Sequence, residues 1–263
     1  MEKFNPQSYW EERLEENFNL HGVGDISLGV NYNNYLYKIR KYAFHKVMKR
    51  LKVNFTDKAI LDIGSGTGFY IERWKELHVK SITGSDFTNV VVKNLSERFP
   101  DSRFIQMDAG EKIQDPQPQY DFISAFDVLF HIVEDERFDQ AIKNIHGLLN
   151  EQGYFVISDN FIHGDTQRIK HQVSRSYEYM MNVIQSTGFK PVATVPMFVL
   201  MNDPVDTKSR VMRKIFWIIT KTVRKGEGWG KFVGSMLTPF EKLLISLKTE
   251  SPSTEIRVFQ KVK

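Results

Sequence analysis

Three glycines at alternate positions follow an apolar run and a carboxylate in the stretch AILDIGSGTGFY, residues 59–70. Glycine lets the backbone approach a ligand closely, and the free N–H groups at the start of a following helix favour an anion. A P-loop would need a lysine after the glycines, and none is present. The dinucleotide fingerprint would need its third glycine one residue later than Gly68, and Asp62 would repel a pyrophosphate. The pattern fits neither phosphate site well, and a plain tight turn is the other interpretation.

The pattern D-x-G-x-G-x-G resembles the first motif of class I S-adenosylmethionine (SAM)-dependent methyltransferases. SAM carries a sulfonium and an ammonium cation and has no phosphate. Asp62 can therefore help to hold the positively charged methionine end, while the loop N–H groups and the helix dipole favour the carboxylate of SAM.

Later stretches resemble the same family in the same order. Asp86 ends the stretch SITGSD, 22 residues after Gly64, and can accept both hydroxyls of a ribose, although NAD enzymes use the same device. Asp108 follows FIQM, where the family uses an acid to bind the adenine amino group. YDFISAFDVLFHI (120–132) resembles the fourth motif, and LLNEQGYFVISD (148–159) resembles the approach to the fifth strand.

The resemblance covers about residues 55–200 and implies SAM as the cofactor. It places the cofactor-binding residues in the glycine loop and after the next three strands: Asp62, Gly64, Ser65, Gly66, Gly68, Asp86, Phe87, Asp108, Ala109 and Phe126. Two residues of the N-terminal segment, Tyr37 and Arg40, could close over SAM, but simple packing also explains aromatic residues at helical spacing.

The class of molecule that would accept the methyl group is limited mainly by the residues and motifs that the sequence lacks. The chain has no cysteine, which excludes disulfides, thiolate metal sites and the nucleophile of cytosine C5 methylation. Methyltransferases of exocyclic base amines carry [ND]-P-P-[YF] where this chain has SAFD (124–127), so nucleic acid is not expected as a partner. Residues 21–44 and 250–263 resemble stand-alone bacterial methyltransferases of glycan and natural-product assembly. This resemblance implies transfer to an O or N atom of a sugar or another small molecule.

Two other functions remain open on the sequence. An NAD-dependent oxidoreductase would bind a nicotinamide cofactor and would not respond to SAM. A SAM-binding protein without transferase activity would carry the same motifs, because the sequence does not settle which residue acts as the base.

Two histidines are candidates for that base. Transfer to a hydroxyl needs an aligned nucleophile and a group that removes its proton, and histidine titrates near neutral pH. His131 and His163 follow the fourth and fifth strands, on the expected substrate side. A histidine near position 131 is common in this family whatever the acceptor. No metal site is expected, since the acidic EDER cluster (134–137) suits a helix N-terminus.

Three basic residues recur at helical spacing within a helix predicted over 167–186: Arg168, His171 and Arg175. They could bind an anionic group of the substrate. A solvated basic face explains the same spacing.

The elements that would position these residues alternate between short β-branched runs and longer amphipathic patterns, which predicts β-α-β units. Strands are predicted at 58–63, 81–86, 103–107, 119–125, 153–159, 192–200 and 253–262, and helices at 68–78, 88–98, 135–149 and 167–186. The expected fold is α/β, a Rossmann-like, seven-stranded, mainly parallel sheet flanked by helices, with the last strand antiparallel. We expect an N-terminal helical cap (1–55), a SAM-binding Rossmann-like core (56–202), a helical insertion (203–250) and the final core strand (251–263).

The insertion carries the basic character of the chain. Between Lys208 and Lys248 there are ten Lys or Arg and two acids, whereas the remainder has 26 basic and 30 acidic residues. Three interpretations of this segment remain open: packing with solvated charges, a cap over an anionic substrate, and peripheral contact with a membrane.

The acidic N-terminal stretch lacks a signal sequence, and apolar runs fall short of the roughly 20 residues that span a bilayer, so a cytoplasmic protein is expected.

Overall fold

Two sheets are present in the computed structural model, which describes residues 5–114, 116–117 and 119–262. The strands are β1 (Ala59–Ile63), β2 (Ser81–Asp86), β3 (Arg103–Gln106), β4 (Tyr120–Phe126), β5 (Leu149–Asp159), β6 (Gln167–Ile169), β7 (Gln172–Ser174), β8 (Phe189–Pro196) and β9 (Glu255–Lys261). Seven of them form one sheet in the order β3-β2-β1-β4-β5-β9-β8, and β6 and β7 form a hairpin of their own.

The sheet runs parallel except at β9, which is antiparallel to both β5 and β8. The helices are α1 (Pro6–Glu16), α2 (Gly29–Leu51), α3 (Phe69–Glu76), α4 (Asn89–Arg98), α5 (Asp135–Leu148), α6 (Tyr177–Ser186), α7 (Arg210–Val223) and α8 (Glu227–Leu247). The predicted Rossmann-like sheet with an antiparallel last strand is confirmed.

Both faces of the sheet are buried, which explains why the central strands read as nearly continuous apolar runs. Ile60 of β1 and Phe122 of β4 point into the core on the side of α2 and α3, whereas their neighbours Leu61 and Ile123 point into the core on the side of α5 and α6. The alternation along each strand therefore fixes which side of the sheet each helix covers.

The helix predicted over 167–186 is wrong in its first half. Residues 167–174 form the β6–β7 hairpin, in which Arg168 pairs with Val173 across the two strands. The helix begins only at Tyr177, where the Ser176 side chain accepts a hydrogen bond from the backbone N–H of Tyr179 and caps the first turn. The strand predicted at 192–200 is likewise displaced and runs over 189–196.

The basic insertion forms α7 and α8, and a buried glutamate attaches α8 to the rest of the chain. The Glu241 carboxylate is fully buried and accepts hydrogen bonds from the backbone N–H groups of Val199, Leu200 and Met201 at 2.7–3.3 Å. Burial raises the pKa of Glu241. Within the described part of the chain, no helix is both long and apolar enough to span a membrane.

Replacing Glu241 with leucine should lower the free energy of unfolding by more than about 2 kcal/mol, because it leaves buried N–H groups without an acceptor at about 1–3 kcal/mol each. Denaturant unfolding measures the change. Glu97→Leu, at an exposed position of α4, is the matched control and should stay within about 0.5 kcal/mol of the parent. Equal losses in the two variants would contradict the anchoring role of Glu241.

Candidate functional site

A cleft opens at the carboxyl ends of β1 and β4, where the strand order reverses. Ligands of open α/β sheets bind outside the strand ends at such a switch point. The first cavity, of about 790 Å³ including its open mouth, lies here between the glycine loop and helices α1 and α2. Seven of the predicted cofactor residues line it: Tyr37, Gly64, Ser65, Gly66, Asp86, Phe87 and Phe126.

All three loop glycines have positive φ angles, of +67° at Gly64, +51° at Gly66 and +79° at Gly68. A Cβ atom on Gly64 would lie 2.3 Å from Cγ2 of Val128, and one on Gly68 would lie 2.7 Å from Cε2 of Phe99. Gly66 would meet nothing closer than 3.4 Å. Close packing therefore requires glycine at 64 and 68, whereas Gly66 presents open backbone to the cavity.

Most of the loop N–H groups are already bonded inside the protein. Ser65 N donates to Ser85 O at 2.9 Å, and Gly68 N donates to Ser65 O at 2.8 Å. Gly66 N donates to Oδ2 of Asp86 at 3.1 Å. The loop therefore offers few donors for a phosphate group.

Asp62 lies beneath the loop and is only 2% exposed. Its Oδ1 accepts a hydrogen bond of 2.6 Å from the Ser124 hydroxyl, which in turn accepts one of 3.0 Å from Trp74 Nε1. Burial raises the pKa of Asp62 to about 7. The carboxyl group therefore joins β1 to β4 directly under the cleft.

Asp86 ends β2 at the wall of the first cavity. Its Oδ1 accepts hydrogen bonds from the Thr88 N–H at 3.1 Å and the Thr88 hydroxyl at 2.8 Å, in addition to the bond from Gly66 to Oδ2. Burial raises the pKa of Asp86. A carboxylate has about four acceptor sites, so one site on Oδ2 remains for a ligand hydroxyl.

The second cavity, of about 1230 Å³, adjoins the first across Gly64, Phe87, Val128 and His131. Asp108 and Ala109 line it together with Arg137. Asp108 accepts a hydrogen bond from the Gly110 N–H at 2.9 Å and pairs with Arg137 at 2.6 Å. The predicted adenine acid is therefore adjacent to the glycine loop, but an arginine that the sequence did not single out pairs with it.

The third cavity, of about 1380 Å³, meets the first at Trp10, Val23, Asp127 and His131. Its lining is rich in polar and basic groups, which include Arg13, Arg40, Asn160, His171, Asn202 and Asp203. Arg40 lines this third cavity and pairs with Asp127 at 2.9 Å. Tyr37, the other predicted residue of the N-terminal segment, lines the first cavity instead.

His131 lies where the three cavities meet. Its Nδ1 is 2.9 Å from the carbonyl oxygen of His171, which can only accept, so Nδ1 carries the proton and Nε2 is left as an acceptor. Burial lowers the pKa of His131 to about 4. The ring is therefore neutral at physiological pH, and its Nε2 is unprotonated.

His163, the other candidate base, lines a separate fourth cavity. Its Nδ1 lies 2.7 Å from Oδ2 of Asp206, and its ring stacks on Tyr177. The fourth cavity shares only Val205 with the third and shares no residue with the first. The structure thus separates His163 from the glycine loop.

Arg168 and Arg175 do not share a helix face, because the segment that carries them is a hairpin and a loop. Arg175 pairs with Asp135 at 3.0 Å and donates to Ile132 O at 2.8 Å. Arg168 donates to Val133 O at 2.8 Å and also pairs with Asp135. Both arginines therefore bind the segment that follows His131. Of the three basic residues predicted to bind an anionic substrate, only His171 lines the third cavity.

Several lining residues of the first cavity were not predicted, among them Trp10, Thr67 and Tyr70. The Thr67 and Tyr70 hydroxyls are buried and have no hydrogen-bond partner among the described residues. Tyr70 lies two residues after Gly68, in the first turn of α3, and this closeness to the glycine loop could have indicated it from the sequence. Trp10 comes from α1, and nothing local in the sequence links it to the loop.

Comparison with known proteins identifies the core. Residues 60–153 match the family model of a methyltransferase domain. Two solved structures share the fold. One is the magnesium protoporphyrin IX methyltransferase of Synechocystis with bound SAM, at TM-score 0.59 and 12% identity over 98% of each chain. The other is the N-methyltransferase NodS of Bradyrhizobium japonicum with S-adenosylhomocysteine, at TM-score 0.56 and 11% identity over 99% of this chain and 100% of that one. Residues 60–153 therefore match a methyltransferase domain, and the chain has the fold of these two methyltransferases.

The curated relatives match about half of this chain. Ribosomal protein L11 methyltransferase of Staphylococcus haemolyticus is 24% identical over 137 residues, which are 51% of this chain and 38% of that protein. The same enzyme of Staphylococcus aureus strain JH1 is 24% identical over 138 residues. The chain therefore covers well under half the length of these relatives.

Gly64→Ala should lower the free energy of unfolding by more than about 2 kcal/mol, because the new Cβ atom overlaps Val128 in addition to the strain of a positive φ angle. Gly66→Ala has the same kind of strain without the overlap and should cost about 1–2 kcal/mol. Denaturant unfolding of the two variants compares them. A loss at Gly66 as large as that at Gly64 would show that Val128 does not set the requirement for glycine.

Proposed function

We propose that the chain is a SAM-dependent methyltransferase that transfers a methyl group to an O or N atom of a polar small molecule, such as a sugar. The observation that carries this proposal is a neutral, oriented imidazole at the junction of a SAM-type cleft and a polar third cavity. A donor in the first cavity and an acceptor in the third would meet beside His131.

The first cavity suits SAM better than a nicotinamide dinucleotide. Three loop N–H groups are bonded internally and are poorly placed to bind a pyrophosphate. The unpartnered hydroxyls of Thr67 and Tyr70 offer buried polar contacts to the amino and carboxylate groups of a methionine end. Asp86 would bind a ribose hydroxyl at its remaining acceptor site. Asp108 and Ala109 would lie beside the adenine.

When bound, SAM supplies a methyl group that its sulfonium has already activated. The third cavity would have to hold the acceptor with its reacting atom directed at the first cavity, where SAM would lie. His131 Nε2 would take the proton that the acceptor atom loses. The His171 carbonyl would hold the resulting imidazolium by accepting from Nδ1–H.

The third cavity favours a polar acceptor. Arg13, Asn160 and Asn202 line the same polar wall as the Arg40–Asp127 pair, and each of these three already donates hydrogen bonds within the protein. Hydroxyl groups of a sugar, or a carboxylate on another small molecule, would find partners on it. The ribosomal protein named in the curated relatives is not carried over, since the similarity covers 51% of this chain and only 38% of that enzyme.

Asp86→Ala should weaken SAM binding by about tenfold to a hundredfold, which corresponds to a lost hydrogen bond to a charged group worth about 1.5–3 kcal/mol. Isothermal titration calorimetry measures this change. Asp57→Ala, at an exposed position before β1, is the control and should bind SAM normally. Unchanged affinity in Asp86→Ala would disprove the ribose assignment, and tighter binding of NAD than of SAM would disprove the methyltransferase proposal.

His131→Gln should retain SAM affinity and lose turnover by about 10²–10⁴-fold, because it removes the proton acceptor. His163→Gln, in the fourth cavity, is the matched control and should turn over at nearly the normal rate. Since the pKa of His131 is lowered to about 4, the parent rate should persist at mildly acidic pH and fall only as pH drops through about 4. A rate that falls through pH 6.5, or a normal rate in His131→Gln, would rule out His131 as the base.

A further inference from the structure

Helix α8 has two apolar faces, of which only one is buried. Val233, Leu244 and Ile245 belong to the face that packs into the core. A second stripe recurs at intervals of three and four residues and is 47–70% exposed: Trp229, Phe232, Met236, Phe240, Leu243 and Leu247. A surface helix of a globular protein ordinarily has one apolar stripe, directed at the core. The second stripe has no such role in the described chain.

Helix α7 repeats the arrangement. Its Ile219 and Val223 are buried, whereas Val211, Ile215 and Ile218 are 69%, 41% and 49% exposed. Together the two helices present an apolar surface that includes two tryptophans. Patches of this extent mark places where a protein meets a partner or a membrane.

The charge around this surface is positive. The segment from Lys208 to Lys248 has ten basic residues and two acids. Glu241 is buried, and the Glu227 carboxylate accepts hydrogen bonds from the N–H groups of Val30 and Asn31 at 2.8 and 2.7 Å, where it caps α2. Glu241 is therefore withdrawn from the surface and Glu227 is bonded to the start of α2, whereas ten lysines and arginines belong to the same segment.

Some of the cations lie directly beside the aromatic residues. Lys221 lies over the Trp217 ring at 4.6 Å, and Lys225 lies over the Trp229 ring at 5.6 Å. Tryptophan with adjacent lysine is the composition of helices that lie at a membrane interface, where the ring enters the headgroup region and the cation meets an anionic lipid.

We propose that α7 and α8 dock this protein on the surface of a bilayer that carries anionic lipids, with the exposed stripes inserted at the headgroup boundary. A second copy of the chain fits this face poorly. A symmetric dimer would place the same patch against itself, so that two strongly basic surfaces would repel each other. Nucleic acid would satisfy the charges but would leave the leucine, isoleucine and phenylalanine side chains exposed.

The test is sedimentation of the full chain with vesicles. Vesicles of equal parts phosphatidylcholine and phosphatidylglycerol should pellet the protein, vesicles of phosphatidylcholine alone should not, and added salt should release it. The combined variant Trp229→Ser, Phe232→Ser and Phe240→Ser should bind the anionic vesicles about tenfold more weakly or worse. Its control is Ile169→Ser with Val192→Ser, two exposed apolar residues on strands, which should bind normally.

A second variant keeps the stripe and removes the charge. Lys214→Glu with Lys221→Glu and Lys231→Glu should also lose binding by about tenfold, whereas the same reversal at the exposed lysines Lys93, Lys143 and Lys190 should not. This charge-reversal variant tests membrane docking even if the aromatic variant does not fold. SAM titration reports separately on the methyltransferase proposal, on which the docking proposal does not depend.

Three results would overturn the proposal. The parent protein could remain in the supernatant with anionic vesicles. It could pellet equally with neutral and anionic vesicles, which would make the charge irrelevant. Light scattering could also show a dimer that the aromatic variant converts to a monomer, which would make the stripes a self-association surface.

Discussion

A buried hydrogen bond between two neighbouring strands holds the cleft together. Asp62 of β1 and Ser124 of β4 are register partners in the sheet, and the Ser124 hydroxyl donates to the Asp62 carboxyl group at 2.6 Å while it accepts from Trp74. The glycine loop continues from the first strand, and the residues up to His131 continue from the second. Because an unpaired carboxyl group in the core is costly, this bond keeps the two strand ends in a fixed relation.

The segment after β4 is positioned by contacts from several distant parts of the chain. Asp127 has a φ angle of +57°, and its carboxylate is bonded to Arg40 of α2 and to Ser158 of β5. Val128 packs against Gly64, and the two arginines near the β6–β7 hairpin hold residues 132–135. His131 lies between these attachments, so its orientation depends on four elements and not on its own short turn. Pre-organisation of this kind is what a proton acceptor in group transfer requires.

The two acids of the basic insertion both attach it to the rest of the chain. Glu227 caps α2 and Glu241 binds the backbone of residues 199–201, so the two negative charges of the segment are committed to attachment. Arg224 also donates to Ser27, in the loop that lines the third cavity. The insertion therefore supports the wall of the third cavity, while its other surface is left apolar and basic.

The sequence by itself determined the mainly parallel sheet and the glycine loop, because strand periodicity and the backbone freedom of glycine are local properties. The antiparallel last strand was expected only from the resemblance to the methyltransferase family. It did not determine the hairpin at 167–174, since the spacing of Arg168 and Arg175 also suits a helix. Both arginines pair with Asp135, which lies more than 30 residues away and which local spacing does not reveal. Nor could it separate His131 from His163, which look equivalent after successive strands. Only the tertiary structure decided that His131 meets the cavities beside the loop and that His163 pairs with Asp206, because the partners of a side chain are set by packing between segments that are remote in the chain.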